Sequence, residues 1–503
     1  MKISSRLIGL YLIAAISVSI VCAQQPVSKT QLATQVRAEF LHAWNGYKKF
    51  AWGHDDLKPL SKTYHDWYAE PLLMTPVDAL DTMILMGLKT EAKTTREYVA
   101  RNLSFDKDIE VQNFEITIRL LGGLLSSYQL TGDQRLLNLA QDLGNRLLPV
   151  FNSPTGLPYR YVNLKTGKVR GNVTNPAEAG TLLIEFGTLS KLTHKPVYFN
   201  KAKHALVEIY NRRSPIGLVG TWINVETGQW TDTDSHISGA IDSYYEYLLK
   251  CAILFDDQDC RRMWNDSITA INSYLRDETK GRMKPELWYG HADMNTGTRT
   301  AATYGALDAF FPAVLALSGD LNRASLLQES SYRMWTKHGI EPEEFNYQTM
   351  EVVSPGYPLR PEIVESTYYL YRYAAEKQAP FRRGTRRSRA AQVPLNESRQ
   401  KLDREHYQRM GQMMFRDFVK FCRTEEGYAA LKSVVTKEQT DSMQSFVFAE
   451  TFKYFYLLFA PARTLDFDKV IFNTEAHPIR RFGGDALSTT RPIVRTNNSL
   501  PKH

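Results

Sequence analysis

In LRPEIVESTYYLYRY, Pro361 marks a helix start and sets Glu362 and Glu365, three residues apart, on one face of the first turns. The positive end of a helix dipole favours both as carboxylates, which suits a general base or a group that orders water around a metal. A capped helix with a surface glutamate would give the same pattern, but the flanking aromatics argue for a buried, sugar-like surrounding. In FEITIRLLGGLL, Glu115 and Arg119 stand four apart, with Leu120, Leu121, Leu124 and Leu125 on the packing side. An i,i+4 ion pair accounts for this locally. In a cleft, the same Glu115 could instead be a protonated general acid beside an arginine that grips hydroxyls. In VIFNTEAHP (470–478) a strand-like run turns and gathers Thr474, Glu475 and His477. Hydroxyl, backbone carbonyl and carboxylate are hard oxygen donors that suit Ca²⁺ better than Zn²⁺, and His477 reads as a hydrogen-bonded structural histidine. The chain has no HExxH, CxxC, P-loop, GxSxG or GxGxxG, so the chemistry left is that of carboxylates. Carboxylates among many aromatics, in a chain that opens on a leader-like run at residues 1–23, point to glycoside hydrolysis, with rings as stacking platforms for sugars.

The elements that must position these groups are helical, as in 114–130, 241–255 and 446–459, while strand-like alternation is scarce. Turn-rich pieces such as NSPTGLP and SPGYPLRP lie just before new helices. Acidic residues recur near helix starts at Glu115, Glu178, Asp242, Asp308 and Glu362, with gaps of 63, 64, 66 and 54 residues, and Glu450 follows after 88. Such a period holds two helices and their connections, so the chain reads as repeated helical hairpins, with an insertion in the last gap. Hairpins closing into a ring bring every inner helix start, and its acid, to one mouth. The plainer alternative for each residue alone is a first-turn carboxylate on the surface.

The 503 residues, 43% hydrophobic and 23% charged with a net charge of +8, exclude collagenous, low-complexity and multi-span membrane chains. Residues 1–23, with Lys2 and Arg6 before an apolar run ending at Ala23, are predicted to be a signal peptide, leaving no stable membrane span. Arg382, Arg383, Arg386, Arg387 and Arg389 cluster without interleaved aromatics, which predicts a solvated loop and no nucleic-acid partner. Cys251, Cys260 and Cys422 allow one disulfide at most; 251 and 260 are the nearest pair, and two buried thiols remain the alternative.

TPVDALDTMILMGL, FEITIRLLGGLLSSY, IDSYYEYLLK, PGYPLRPEIVESTYYLYR, FAETFKYFYLLF and FNTEAHP, in that order between about Thr75 and Pro478, together resemble the class I α-1,2-mannosidases, glycoside hydrolase family 47. The resemblance implies an all-α fold, an (α/α)7 barrel over 24–482 with a C-terminal tail at 483–503. It also implies a Ca²⁺-dependent inverting exo-α-1,2-mannosidase that trims terminal mannose from high-mannose N-glycans. By the same resemblance Glu115 is the general acid, acting through a water. Glu362 is the preferred base and Asp242 the third essential carboxylate, with the base role open between those two. Thr474 binds Ca²⁺, while Glu343, Glu365, Glu450 and Glu475 hold the metal's waters or sugar hydroxyls. Phe446 is an aromatic platform, and Arg119 and Arg360 contact substrate. An inverting route would set acid and base carboxyls roughly 6.5 to 9.5 Å apart.

Two departures stand out. Ala240 occupies a position where the endoplasmic-reticulum processing members have Arg, which leaves branch preference open, and residues from about 378 to 404 form a basic insertion. Small residues near that site also occur in the family's quality-control branch, so a mannose-glycan-binding factor with little hydrolysis is the alternative reading. An endo-acting hydrolase on another (α/α) toroid is a third. The chain is expected to be a monomer acting in a secretory pathway or a bacterial periplasm or exterior. The short leader leans towards the bacterial setting, while sequons at Asn102, Asn172, Asn265, Asn396 and Asn497 would matter only in the other.

Overall fold

The computed structural model describes residues 28–281, 285–376 and 403–482. The leader, the C-terminal tail and all but the last two residues of the 378–404 segment lie outside these, as do the sequons at Asn396 and Asn497. Asn102, Asn172 and Asn265 are exposed.

Seven inner helical segments line a ring: Met74–Met86, 113–131, 176–193, Asp242–Leu254, 307–318, Glu362–Glu376 and 447–459. Each packs against an outer helix: Lys89–Asn102, Gln134–Leu147, Pro196–Asn211, Gln258–Tyr274, Leu321–His338 and Arg404–Cys422, with Lys29–Phe50 serving the last inner segment. The fold is therefore the expected (α/α)7 barrel, closed by its first helix against its last. Inner helices are buried nearly all round, as Asp242–Leu254 shows, whereas an outer helix such as Gln134–Leu147 buries only the stripe Leu136, Leu137, Ala140, Leu143 and Leu147. Inner-to-outer turns are tight. In TGDQ and SGDL a glycine ends the inner helix in the left-handed conformation (Gly132, φ 73°; Gly319, φ 95°), and the next residue, Asp133 or Asp320, caps the outer helix. Cys251 and Cys260 form a disulfide between the two helices of one hairpin, and Cys422 is a buried free thiol.

Outer-to-inner connections are long, and they carry the strands that the sequence concealed. Twenty strands of two to four residues pair antiparallel in two- and three-stranded sheets among the described residues; runs this short leave no visible alternation. A strand from one connection joins the hairpin of the next: Val173–Thr174 pairs with Trp222–Asn224, Asp234–Ser235 with His291–Asp293, and Thr303–Gly305 with Glu344–Asn346. The connections are thus stitched into a collar around the mouth. A final hairpin, Val470–Phe472 with Pro478–Arg480, brings the NTEAH turn into the barrel.

Candidate active site

The recurring acids sit where the period requires, in the first turns of inner segments. Glu115, Glu178, Asp242, Glu362 and Glu450 all line one cavity of about 390 Å³, together with Thr474 and Glu475 from the final hairpin. Arg119, Arg360, Glu365 and Phe446 line it too. Glu343 is not at its surface but receives both Nε (2.8 Å) and Nη2 (3.0 Å) of Arg360, so it orients that guanidinium. Asp308 is held in the wall instead, accepting the Gly305 N–H at 2.9 Å.

Eight carboxyl groups face this cavity against two guanidinium groups. Arg119 donates to Glu115 (Nε–Oε2 2.9 Å) and to Glu475, and its guanidinium carbon lies 5.0 Å from the Trp67 ring centre and 5.6 Å from that of Phe446. Glu115 and Arg119 therefore form the i,i+4 ion pair read from their spacing, and they form it at the wall of the cavity. Burial pushes Asp242 up to about 7, helped by the nearby Glu246 and Asp308 and opposed by the Ser243 N–H at 2.8 Å. Burial also lifts Glu362 to about 7; Arg360 opposes, while Glu343 and Asp242 add to the rise. Glu365, Glu450 and Glu475 rise for the same first reason, desolvation, in a field of like charge. These two central carboxyls are poised near neutrality, where a group can either give or take a proton.

Backbone irregularity concentrates here. Arg119 and Glu450 sit in π-helical turns, Thr117–Leu121 and Val447–Thr451, which re-aim their side chains at the cavity. Ala240, Leu359 and Ala476 have positive φ (77°, 71° and 57°) without being glycine; Ala240 lines the cavity, Leu359 precedes Arg360, and Ala476 lies within the NTEAH turn.

Under the cavity, Asp81 joins His477 Nδ1 (2.7 Å), Lys453 Nζ (2.8 Å) and Ser126 Oγ (2.8 Å), all fully buried. Burial opposes ionisation of Asp81, but Lys453 and His477 hold it at about 2; His477 is raised to about 9 by Asp81 and Asp78 against desolvation. His477 is thus structural, as read, and anchors the turn that carries Thr474. Asn473 anchors it further by donating to Ile118 O and Glu185 Oε1.

Sequence reasoning missed Glu246, one turn after Asp242 and lining the cavity, and did not see Asp78, a buried acid one turn into Met74–Met86. Asp78 escaped the period because only 37 residues separate it from Glu115. Gln112 and Trp67 were missed with no signal beyond aromatic content.

A hard cation fits this site. Its donors are oxygen, its carboxyls outnumber its cations, and Glu362 Oε2 is buried without a protein partner. Asp234, His236 and His291, the other clustered acid and histidines, do not line the cavity and hydrogen-bond among themselves and their neighbours: His291 Nδ1 to Asp234 at 2.7 Å, His236 Nε2 to Thr221 at 3.2 Å, and Ser238 N–H to His236 Nδ1 at 3.2 Å.

A helical toroid with acids converging on its mouth suits glycoside hydrolysis by paired carboxylates. The chain belongs to Glycosyl hydrolase family 47, which it matches over residues 39–382 and 401–481. It is 34% identical over 483 residues to alpha-mannosidase I MNS5 of Arabidopsis thaliana, covering 90% of this chain and 78% of that one. It is 35% identical over 491 residues to the endoplasmic reticulum mannosyl-oligosaccharide 1,2-alpha-mannosidase of Rattus norvegicus (91% and 69%), and 34% identical over 480 residues to the ER degradation-enhancing alpha-mannosidase-like protein 2 of Homo sapiens (88% and 77%). Among solved structures, the alpha-1,2-mannosidase from Trichoderma reesei superposes with a TM-score of 0.78 at 28% identity, covering 90% of this chain and 99% of that one. The two stretches of the family match leave 383–400 unmatched, within the basic segment. Among the described residues no helix is long and apolar enough to cross a membrane.

Proposed function

We propose that the protein is a monomeric, Ca²⁺-dependent, inverting exo-α-1,2-mannosidase that trims terminal mannose from high-mannose N-glycans. The observation that carries this reading is the convergence of Glu115, Asp242 and Glu362 on one cavity in a chain whose relatives bear mannosidase names. Glu115, steadied by Arg119, passes a proton through water towards the leaving oxygen. Glu362 takes the proton of the attacking water, and Asp242 beside it shares that duty. Arg119 and Arg360 grip hydroxyls, while Phe446 offers its ring to the sugar's apolar face. Thr474 would hold Ca²⁺ with water-mediated help from Glu246, Glu365, Glu450 and Glu475. Bound there, the cation supplies charge that favours the ionised form of the base and fixes sugar hydroxyls. All the relatives named above are eukaryotic, which favours the secretory pathway over a bacterial exterior.

The test is mannose release from a Man₉ N-glycan with Ca²⁺, with chelator, and with Ca²⁺ restored. Release should vanish with chelator and return with the metal. Glu362→Gln should cut kcat by at least about 10²-fold without lowering the melting temperature; a near-normal rate removes the base assignment. The resemblance to the degradation-enhancing relative keeps the binding-factor reading in view. Saturable glycan binding without free mannose, from folded protein, would establish it instead.

A further inference from the structure

In GIEPEEF, two residues before Glu343, Glu341 is fully buried and has no part in the chemistry described above. The loop that carries it leaves the outer helix Leu321–His338 through Gly339 (φ 72°) and runs into the strand Glu344–Asn346. That loop is pinned on both sides at Glu343, whose N–H donates to Gly356 O (2.8 Å) and whose carbonyl accepts the Ala306 N–H (3.2 Å). The two acids then part company. Glu343 binds the Arg360 guanidinium, while Glu341 stays off the cavity surface as a near neighbour of Glu362.

Among the described residues neither carboxyl oxygen of Glu341 has a hydrogen-bond partner, and Glu362 Oε2 has none either. Two neighbouring carboxyls with bare oxygens and no water around them do not both ionise. Burial lifts Glu341 well above the usual carboxylate range, the charge of Glu362 lifts it further, and Glu343 adds to the rise against Arg360. Tyr357 and Tyr304, also beside it, are buried phenols raised well above their usual range, so neither brings a charge. Glu362 is faced in turn by Arg360, Glu343 and Asp242, and its own charge bears on Glu365 and Glu450. Glu362 therefore ionises first and Glu341 keeps its proton. A carboxyl buried for packing alone would be bettered by leucine, because an unpaired polar group costs stability wherever water cannot reach it.

Resting on the base role proposed above for Glu362, we infer that Glu341 is a positioning residue, whose protonated carboxyl donates a hydrogen bond to Glu362 Oε2, directly or across one water, and so holds the base ionised and aimed at the attacking water. Glu341 touches neither sugar nor cation. It acts from behind the base, as Glu343 acts from behind Arg360.

The experiment follows kcat/KM for mannose release from the Man₉ N-glycan, with Ca²⁺ present, from about pH 5 to pH 9 in wild type, Glu341→Leu and Glu341→Gln. Leucine removes the donor, so Glu362 should need a higher pH to ionise. The acid limb should move up by about one unit or more, which is what a hydrogen bond to a charged group is worth. Below the limb this reads as about a tenfold loss, recovered as the pH rises. Glutamine keeps a neutral donor of the same length and should leave the limb in place. Glu341→Leu should also melt no lower than wild type at pH 8, since it no longer buries an unpaired carboxyl. An unmoved limb in Glu341→Leu, a fall equal at every pH, or a limb shifted as far by glutamine as by leucine overturns the inference. If wild type releases no mannose, the proposed activity fails separately, and infrared difference spectra at pH 8 decide for Glu341 alone; they also carry the test if Glu341→Leu melts early. The carbonyl band of a protonated carboxyl should be lost in Glu341→Gln and shifted in Glu362→Gln, whose acceptor has changed. A band that survives the first substitution, or does not move in the second, overturns the inference.

Discussion

Arg119 holds Glu115 and Glu475 at once, with Asp78 3.9 Å away, and is itself stacked between Trp67 and Phe446. A planar fork can serve two carboxylates while lying between rings; an ammonium cannot. Arg119→Lys is therefore expected to lower kcat/KM by about 10²-fold or more while retaining charge. Arg119→Ala, which leaves buried acids unpaired, should also cost about 3–5 kcal/mol of stability. Steady-state kinetics and chemical denaturation separate the two effects, and a Lys variant with wild-type kcat/KM would refute the stacked-fork role. At this scale the local half of the site could be read from the chain, since Glu115 and Arg119 are one helical turn apart. The other half could not, because Glu475 is 356 positions away and only the fold brings it to the same guanidinium. Glu246 lay within reach of the helical argument, one turn beyond Asp242, but its neighbours Tyr245 and Tyr247 make that helix look like simple core.

The collar is built by one local device repeated along the chain. In NLKTG, NVETG and DMNTG, and more loosely in NYQTM, the first side chain accepts the backbone N–H groups two and three residues ahead: Asn163, Asn224, Asp293 and Asn346 all do so at 2.8–3.2 Å. The turn then needs a left-handed residue, which is Gly167, Gly228 or Gly297 in three copies and Met350 in the fourth, at φ 62°. Gly297→Ala should destabilise the protein by about 1–2 kcal/mol through the left-handed penalty alone. The added methyl would also stand 2.3 Å from the Tyr274 ring, which has to move. Thermal unfolding measures this, and an unchanged midpoint would show that the collar is not coupled to the barrel. The sequence reading passed over this repeat of turn chemistry, and the hairpins were invisible as strands because two to four residues cannot display a period of two. The helical repeat dominated the reading since most inner segments are apolar and carry an acid in their first turn. The fold followed from that pattern even though the collar did not.

At the scale of the whole molecule, barrel closure and the buried charge of the mouth act against each other. Phe40 from the first helix packs on Phe448 and Phe452 of the last inner segment, with ring centres 5.2 and 5.8 Å apart, and Phe40→Ala at this seam should cost about 3–5 kcal/mol. The mouth that the seam closes is a concentration of carboxyls forced out of water. At the mouth Asp242 and Glu362 are raised to about 7, and off the cavity surface Glu185 is raised to about 7 and Asp308 to about 6, each chiefly by burial. An acid whose folded pKa exceeds its unfolded value binds its proton more tightly in the native state. Its contribution to stability is present below the unfolded pKa and is lost as pH rises through the folded one. His477, raised to about 9, acts in the same direction, with stability present below its ordinary value and lost as pH climbs towards 9. Asp81, held at about 2, acts oppositely, but only below about pH 4. In chelator, the melting temperature should therefore fall steadily from pH 5 to pH 8. Added Ca²⁺ should flatten that fall, raising the midpoint most at pH 8, where the mouth carries its full negative charge and the cation is bound best. Differential scanning calorimetry at four pH values, with and without Ca²⁺, reads both effects. A midpoint that rose with pH in chelator would mean that the mouth carboxyls are ionised at no cost in the folded state, and that the cavity needs no cation to be stable.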